Sequence, residues 1–134
     1  MGKRKPGKRK PDIELYSYGI YSPWERTSRN LPRLREITTK IPVVPDIEFG
    51  YVLKIRGGKG EILEYEIIHP PFPDEKGNPS PPFTGAVMIY ANEWEFFLGD
   101  TVWEPYHEKA GEWILITRLQ GKEVARKAFE LYLP

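Results

Sequence analysis

A chain of 134 residues with 20 Lys and Arg, 19 Asp and Glu and no cysteine has room for one domain and not for two cores. The missing thiols exclude disulfides, thiolate metal centres, iron–sulfur clusters and cysteine nucleophiles. A compact body of this size buries roughly two-thirds of its unfolded surface, enough to fold without covalent staples.

Residues 1–11 are a tandem repeat: Gly2-Lys3-Arg4-Lys5-Pro6 returns as Gly7-Lys8-Arg9-Lys10-Pro11. Six positive charges without an acid, broken by proline and glycine, read as a disordered or polyproline-like tail. Removing those six leaves 14 basic residues against 19 acids, so the body, residues 12–134, carries about −5. No apolar stretch follows the basic start, and no run approaches the roughly 20 apolar residues of a membrane span, so the expected address is cytoplasmic.

Ile13 to Tyr21 is the first expected strand, and Ser22 to Pro32 is a polar loop holding Pro23 and Trp24. Within the strand Tyr16, Tyr18 and Ile20 alternate with Leu15, Ser17 and Gly19, so both faces carry apolar groups. Arg35 to Ile41 alternates with Ile37, Thr39 and Ile41 on one face, and Pro42 and Pro45 end it because proline donates no ladder hydrogen bond. Asp46 to Arg56 has the clearest pattern. Ile47, Phe49, Tyr51, Leu53 and Ile55 share one face, the period of two that marks a strand with one buried side. Gly57, Gly58 and Gly60 make a turn, and Glu61 to His69 alternates again with Leu63, Tyr65, Ile67 and His69 together; the two segments predict a hairpin.

Six prolines between Pro70 and Pro82, with Asp74-Glu75-Lys76-Gly77-Asn78 among them, mark a long stiffened loop. Ala86 to Asn92 reads as a strand, Trp94 to Leu98 as a strand or one helical turn, Gly99-Asp100 as a turn, and Thr101 to Tyr106 as a short edge strand broken by Pro105. Gly111-Glu112-Trp113 leads into Ile114 to Leu119, Gln120-Gly121-Lys122 turns the chain, and Glu123 to Leu133 returns. Phe129, Leu131 and Leu133 then share a face, which outweighs the helix-forming composition of residues 122–131. Seven or eight mostly antiparallel strands, with a turn about every 8–12 residues, predict an all-β immunoglobulin-like sandwich, with a small β-barrel as the alternative.

Tyr18-Gly19-Ile20-Tyr21, Pro32-Arg33-Leu34, Thr38-Thr39-Lys40-Ile41-Pro42, Phe49-Gly50, Gly111-Glu112-Trp113 and Gly121-Lys122 to Phe129, in that order, resemble an uncharacterised bacterial domain-of-unknown-function family over about residues 13–133. The closing Gly-x-Trp hairpin also looks like the last two strands of bacterial immunoglobulin-like modules. The resemblance implies a fold and no activity, ligand or catalytic residue.

Hydrolytic catalysis needs a nucleophile held beside a base, and the chain has two histidines. His69 falls on the apolar face of its strand and reads as structural. His107, between Glu104 and Glu108, is a poor zinc signature, because stable sites recruit more His or Cys. Glu64 with Glu66, and Glu93 with Glu95, are spaced like any solvent-facing strand. Gly57-Gly58-Lys59-Gly60 precedes a strand, whereas phosphate loops open a helix. No catalytic, cofactor or metal site is assigned, and the expected protein is a non-enzymatic interaction module that binds a protein or itself. Its expected partner surface is the aromatic–proline cluster Phe72, Pro73, Pro81, Pro82 and Phe83. The alternative is a polyanion or nucleic-acid accessory protein acting through Lys3, Arg4, Lys5, Lys8, Arg9 and Lys10.

Overall fold

The computed structural model describes residues 10–24 and 30–134. In chain order the described strands are β1 (Asp12–Tyr21), β2 (Leu34–Glu36), β3 (Lys40–Pro42), β4 (Glu48–Arg56), β5 (Ile62–Ile68), β6 (Phe83–Met88), β7 (Glu93–Thr101), β8 (Gly111–Leu119) and β9 (Lys122–Tyr132), with one 3-10 turn at Tyr106–Lys109. They make two sheets, in spatial order β2-β1-β4-β7 and β3-β9-β8-β5-β6. Every pairing is antiparallel except β3 with β9. Nine strands rather than seven or eight, in two layers and not a closed barrel, form the expected sandwich.

The core lies between the layers. From β4, Phe49, Tyr51, Leu53 and Ile55 are all but sealed; from the facing sheet come Leu63, Trp113, Leu115 and Phe129. Phe49 meets Trp113 and Phe129 edge-on, each with ring centroids 5.5 Å apart. The indole N–H of Trp113 donates to the Lys109 carbonyl at 2.8 Å, so the largest buried ring leaves no polar atom unpaired. Tyr51 and Thr117 share a hydroxyl hydrogen bond of 2.6 Å across the sheets. Burial pushes the Tyr51 phenol well above its ordinary range.

The predicted hairpin between residues 46–56 and 61–69 does not form. β4 pairs with β1 and β7, and β5 with β6 and β8, so the glycine-rich link crosses from one layer to the other. Gly57 N–H donates to Asn92 O at 2.7 Å and Gly60 N–H to Ile89 O at 2.9 Å, which ties this arch to the β6–β7 connection beside it. Both strands have a greasy face, and an arch lets those faces meet each other instead of lying side by side. The second predicted hairpin does form. β8 and β9 pair through a two-residue turn in which Gln120 (φ 51°) and Gly121 (φ 76°) are both left-handed, the geometry that matches strand twist.

Residues 35–41 are not one strand either. β2 lies on β1 and β3 on β9, in opposite sheets. The chain changes layer at Ile37, 67% exposed, and the Thr38 hydroxyl accepts from the Lys40 N–H. Gly99 and Asp100 do not turn; they extend β7, and Pro105 follows in a cis peptide before the 3-10 turn, so no edge strand runs from Thr101 to Tyr106. β6 starts at Phe83, earlier than expected, and Leu133 lies beyond β9 in solvent.

A bulge explains the two apolar faces of the first strand. Its register shifts between Leu15 and Ser17, so Ile13 and Leu15 face the core before the shift and Tyr18 and Ile20 after it. Tyr16, left outside, lies under the Lys54 ammonium at 3.7 Å. On the outer face of the same sheet Tyr21, Val52 and Phe97 form a second small core with Trp24 and Leu31. Gly19, Gly50 and Gly99 line up across β1, β4 and β7 beneath it. Ser17, Gly19 and Tyr21 share this face, and the Tyr21 hydroxyl reaches back to that of Ser17 at 2.8 Å; a Cβ at Gly19 would overlap the Glu36 carbonyl, and the Phe97 ring lies over Gly99. Burial raises the Tyr21 phenol to about 12.

A Cβ at Gly50 would overlap the Leu98 carbonyl, a backbone atom that cannot yield without breaking the β4–β7 ladder. Gly50→Ala is therefore expected to cost about 2 kcal/mol or more. Gly77→Ala, in open space at φ 81°, should cost only about 1 kcal/mol from its conformation. Urea midpoints of the two variants check the difference.

Candidate functional site

The two long sides of the sandwich are unlike. On one, the edge strands β2 and β3 have three residues each, and the Lys127 ammonium sits 3.9 Å over the Tyr18 ring, bridging β9 and β1. On the other, β6 and β7 are the edges of their sheets, and β7 is nine residues long without a proline. Between and beside them lies an apolar opening of ≈ 610 Å³ whose walls include Trp24, Met88, Tyr90, Trp94 and Phe96. A second hollow of ≈ 370 Å³ runs alongside, with Trp24 and Phe97 against Tyr65 and Val87. Tyr90 is 72% exposed and Met88 52%. Apolar surface is thus left in water beside a concave aromatic wall. Glu93 and Glu95 stand exposed at the start of β7.

The aromatic–proline cluster takes a different form from the one the sequence suggests. Pro73, Pro81 and Pro82 are all exposed to solvent, but Phe72 and Phe83 turn inward. They close one end of the core around His69, whose ring stacks on Phe72 at 4.3 Å and leans on Phe83 at 4.4 Å. The His69 nitrogens face the carbonyl oxygens of Pro70 at 2.6 Å and Pro81 at 2.8 Å. His69 thus pins both ends of the proline loop to the core, which is a structural task. His107 lies in the 3-10 turn, and among the described residues no group of three His, Asp or Glu stands close enough to hold a metal.

Beside this cluster the ammonium of Lys109 is nearly sealed, the residue 1% exposed. It donates to the Pro105 carbonyl at 3.2 Å and lies 4.7 Å from the Phe72 ring centre and 4.5 Å from that of Trp103. Two ring faces replace part of its hydration. Burial still disfavours the charge and holds its pKa below the ordinary 10.5, against the pull of Glu108 and Asp100.

At the opposite end, the arch, the β8–β9 turn and the start of the described chain enclose a hollow of ≈ 590 Å³ on which Lys10, Lys59 and Lys122 converge over Pro11, Leu119 and Val124. Its two acids are engaged: Glu61 accepts from the Gln120 amide at 3.2 Å, and Glu123 pairs with Arg126 at 2.9 Å. The arch amides of Gly57, Lys59 and Gly60 donate to Asn92 and Ile89, so they do not form a phosphate cradle. Of the six tail cations, Lys10 is exposed at this hollow, and Lys3, Arg4, Lys5, Lys8 and Arg9 lie outside the described residues.

Sequence reasoning missed the exposed Met88 and Tyr90 at the open side, the buried Lys109 and the meeting of Lys10 with Lys59 and Lys122. All three depend on which strands become edges and which loops share an end.

Two antiparallel-dominated sheets packed around a buried tryptophan define an immunoglobulin-like sandwich. An immunoglobulin-like protein from Pseudomonas aeruginosa superposes with a TM-score of 0.73 at 18% identity, over 90% of this chain and 97% of that one. More distant are a Pseudomonas fluorescens alkylpurine DNA glycosylase, AlkC, bound to DNA containing an abasic site analog (TM-score 0.40, 12% identity, 70% of this chain and 27% of that one) and a Bifidobacterium adolescentis GH3 beta-glucosidase (TM-score 0.35, 11%, 90% and 17%). Those two share too little of the backbone path to carry an argument. No curated protein matches the sequence. Residues 9–131 match DUF3859, a domain of unknown function, and the chain belongs to that family.

The sign of the Lys109 effect on stability follows from its two states. The unfolded lysine holds its proton up to 10.5, and the folded one releases it at lower pH. In between, the unfolded chain binds more protons, so stability rises with pH towards 10.5. Lys109→Met is expected to be neutral or to stabilise by about 1 kcal/mol near pH 7 and to flatten that rise, as read by urea unfolding at a series of pH values.

Proposed function

We propose that this protein is a non-enzymatic, protein-binding module that holds an extended segment along the open side between β6 and β7. One observation carries the reading: a proline-free edge strand of nine residues lies beside an opening walled by Trp24, Met88, Tyr90 and Trp94. Strand addition supplies affinity through backbone hydrogen bonds, and pockets for alternate side chains supply selectivity. The aromatics beside the edge offer such pockets, and two of the apolar groups there are already in water, so docking them costs no core packing. Tyr90→Ala should change stability by no more than about 0.5 kcal/mol. It should weaken peptides selected on the wild-type protein at least about tenfold. Fluorescence titration with such peptides measures this, and equal affinity for wild type and a Tyr90→Ala, Trp94→Ala double variant would end the reading.

The convergence of Lys10, Lys59 and Lys122 favours a second reading, in which this end carries the basic repeat onto the folded body and binds a polyanion. Each lysine taken away from a phosphate lowers the slope of log K against log salt by about 0.9 for duplex DNA. Lys59→Ala with Lys122→Ala should therefore flatten the slope by up to about 2, and removal of residues 1–9 should flatten it further. A slope unmoved by all of these changes rules out polyanion binding at this end.

A further inference from the structure

We infer that His69 is a proton-operated latch on the proline loop. As an imidazolium it clamps both ends of the loop to the core, and as a neutral imidazole it lets the Pro81 end go.

The ring nitrogens meet two acceptors. Nδ1 lies 2.6 Å from the Pro70 carbonyl oxygen and Nε2 2.8 Å from that of Pro81. A neutral imidazole has one N–H, so its other nitrogen would set a lone pair against a carbonyl lone pair at hydrogen-bond distance; only the imidazolium donates from both. His69 is buried, with Phe72, Phe83 and Trp113 packed on its ring, so a mismatch there is costly. Those three rings carry no titratable group. The charge set against the same cluster is the Lys109 ammonium, 4.7 Å from the centre of the Phe72 ring and itself under the pull of Glu108 from the 3-10 turn and Asp100 from β7. A like charge works against a second cation, so the protonated ring depends on keeping both carbonyls.

Between its two ends the loop is a small hairpin in its own right. Ser80 N–H donates to Phe72 O at 2.9 Å and Asp74 N–H to Asn78 O at 2.7 Å, and Pro73 and Pro79 pair as a bridge. The Asp74 carboxylate accepts from the N–H groups of Lys76 and Asn78, each at 2.9 Å. Release of one foot therefore tilts a preformed unit instead of melting it. Pro70 follows His69 directly in the chain and cannot move far from it, whereas Pro81 is 12 positions on. The bond that gives way is that from Nε2 to Pro81, which leaves the Nδ1–H tautomer. Pro73, Pro81 and Pro82 stand exposed on this hairpin, so the latch sets how that proline surface is presented.

Long-range nitrogen–proton NMR of the full chain, with His107→Gln to assign the second histidine, counts the protons on the His69 ring. At about pH 5 both nitrogens should carry one, and between about pH 5 and about pH 8 the ring should pass to the Nδ1–H tautomer. Over the same range the hydrogen-exchange protection of the Ser80 amide, beside the released foot, should fall at least about tenfold. Protection of Gly77, which donates to Asp74 O at 3.0 Å within the turn, should hold. In His69→Gln, which keeps a donor and has no proton to lose, Ser80 protection should not vary with pH; the wild-type readings decide the matter whether or not that variant folds. A ring that keeps one charge state throughout, a neutral Nε2–H tautomer, a proton lost with Ser80 protection unmoved, or a fall that survives in His69→Gln overturns the latch.

Discussion

Phe49 packed against Trp113 and Phe129 is the contact on which the two layers depend. Each ring belongs to a different strand, β4 on one side and β8 and β9 on the other, and each is fully buried. The edge-on geometry sets the positive rim of one ring against the negative face of another. Two residues along β4, the Tyr51–Thr117 hydrogen bond joins the same two sheets between hydroxyls sealed from water. A bond of this kind penalises a sliding of the layers, because either hydroxyl left alone would be buried without a partner. The register between the layers is thereby specific as well as greasy.

That central lock leaves the periphery free to differ from side to side. The β1–β9 side is pinned by Lys127 over Tyr18, and its edges are cut short by the chain changing layer at Ile37. The β6–β7 side has neither device. The ends differ as well: one is stoppered by His69, Phe72 and Lys109, and the other gathers lysines around the arch. Lys109 shows how far the stoppered end is committed to packing. A charge placed among rings sheds hydration that one carbonyl and two ring faces only partly replace, which is why its proton is held less tightly than in water. On the β6–β7 side Met88 and Tyr90 stand in water, so a change at either disturbs little of the core.

Much of this architecture was written in local patterns. The period-two face of Phe49, Tyr51, Leu53 and Ile55, the matching face of Leu63 and Ile67, and the Gln120-Gly121 turn all follow from side-chain alternation and turn chemistry, which are properties of a few adjacent residues. His69 as a core residue followed from the same alternation. The errors share a cause. A glycine link between two amphipathic strands looks the same whether it folds them side by side or across a gap, and the choice between hairpin and arch belongs to the partners β1, β7, β6 and β8. The bulge at Tyr16 likewise hid one core-facing side, Ile13 and Leu15 before it and Tyr18 and Ile20 after it, since one extra residue inverts the parity of everything that follows.

By itself, the sequence determined that the chain is all-β, that residues 46–56 and 61–69 each bury one face, and that the last two strands pair. These are short-range consequences of pleat geometry and of which side chains leave water. Tertiary structure alone decided that β4 and β5 sit in opposite layers, that β7 ends as a long edge beside Tyr90 and Trp94, and that Lys10 meets Lys59 and Lys122. The physical reason is that edges, ends and pockets are made by strands far apart in the chain, and no local period records which of them will be neighbours.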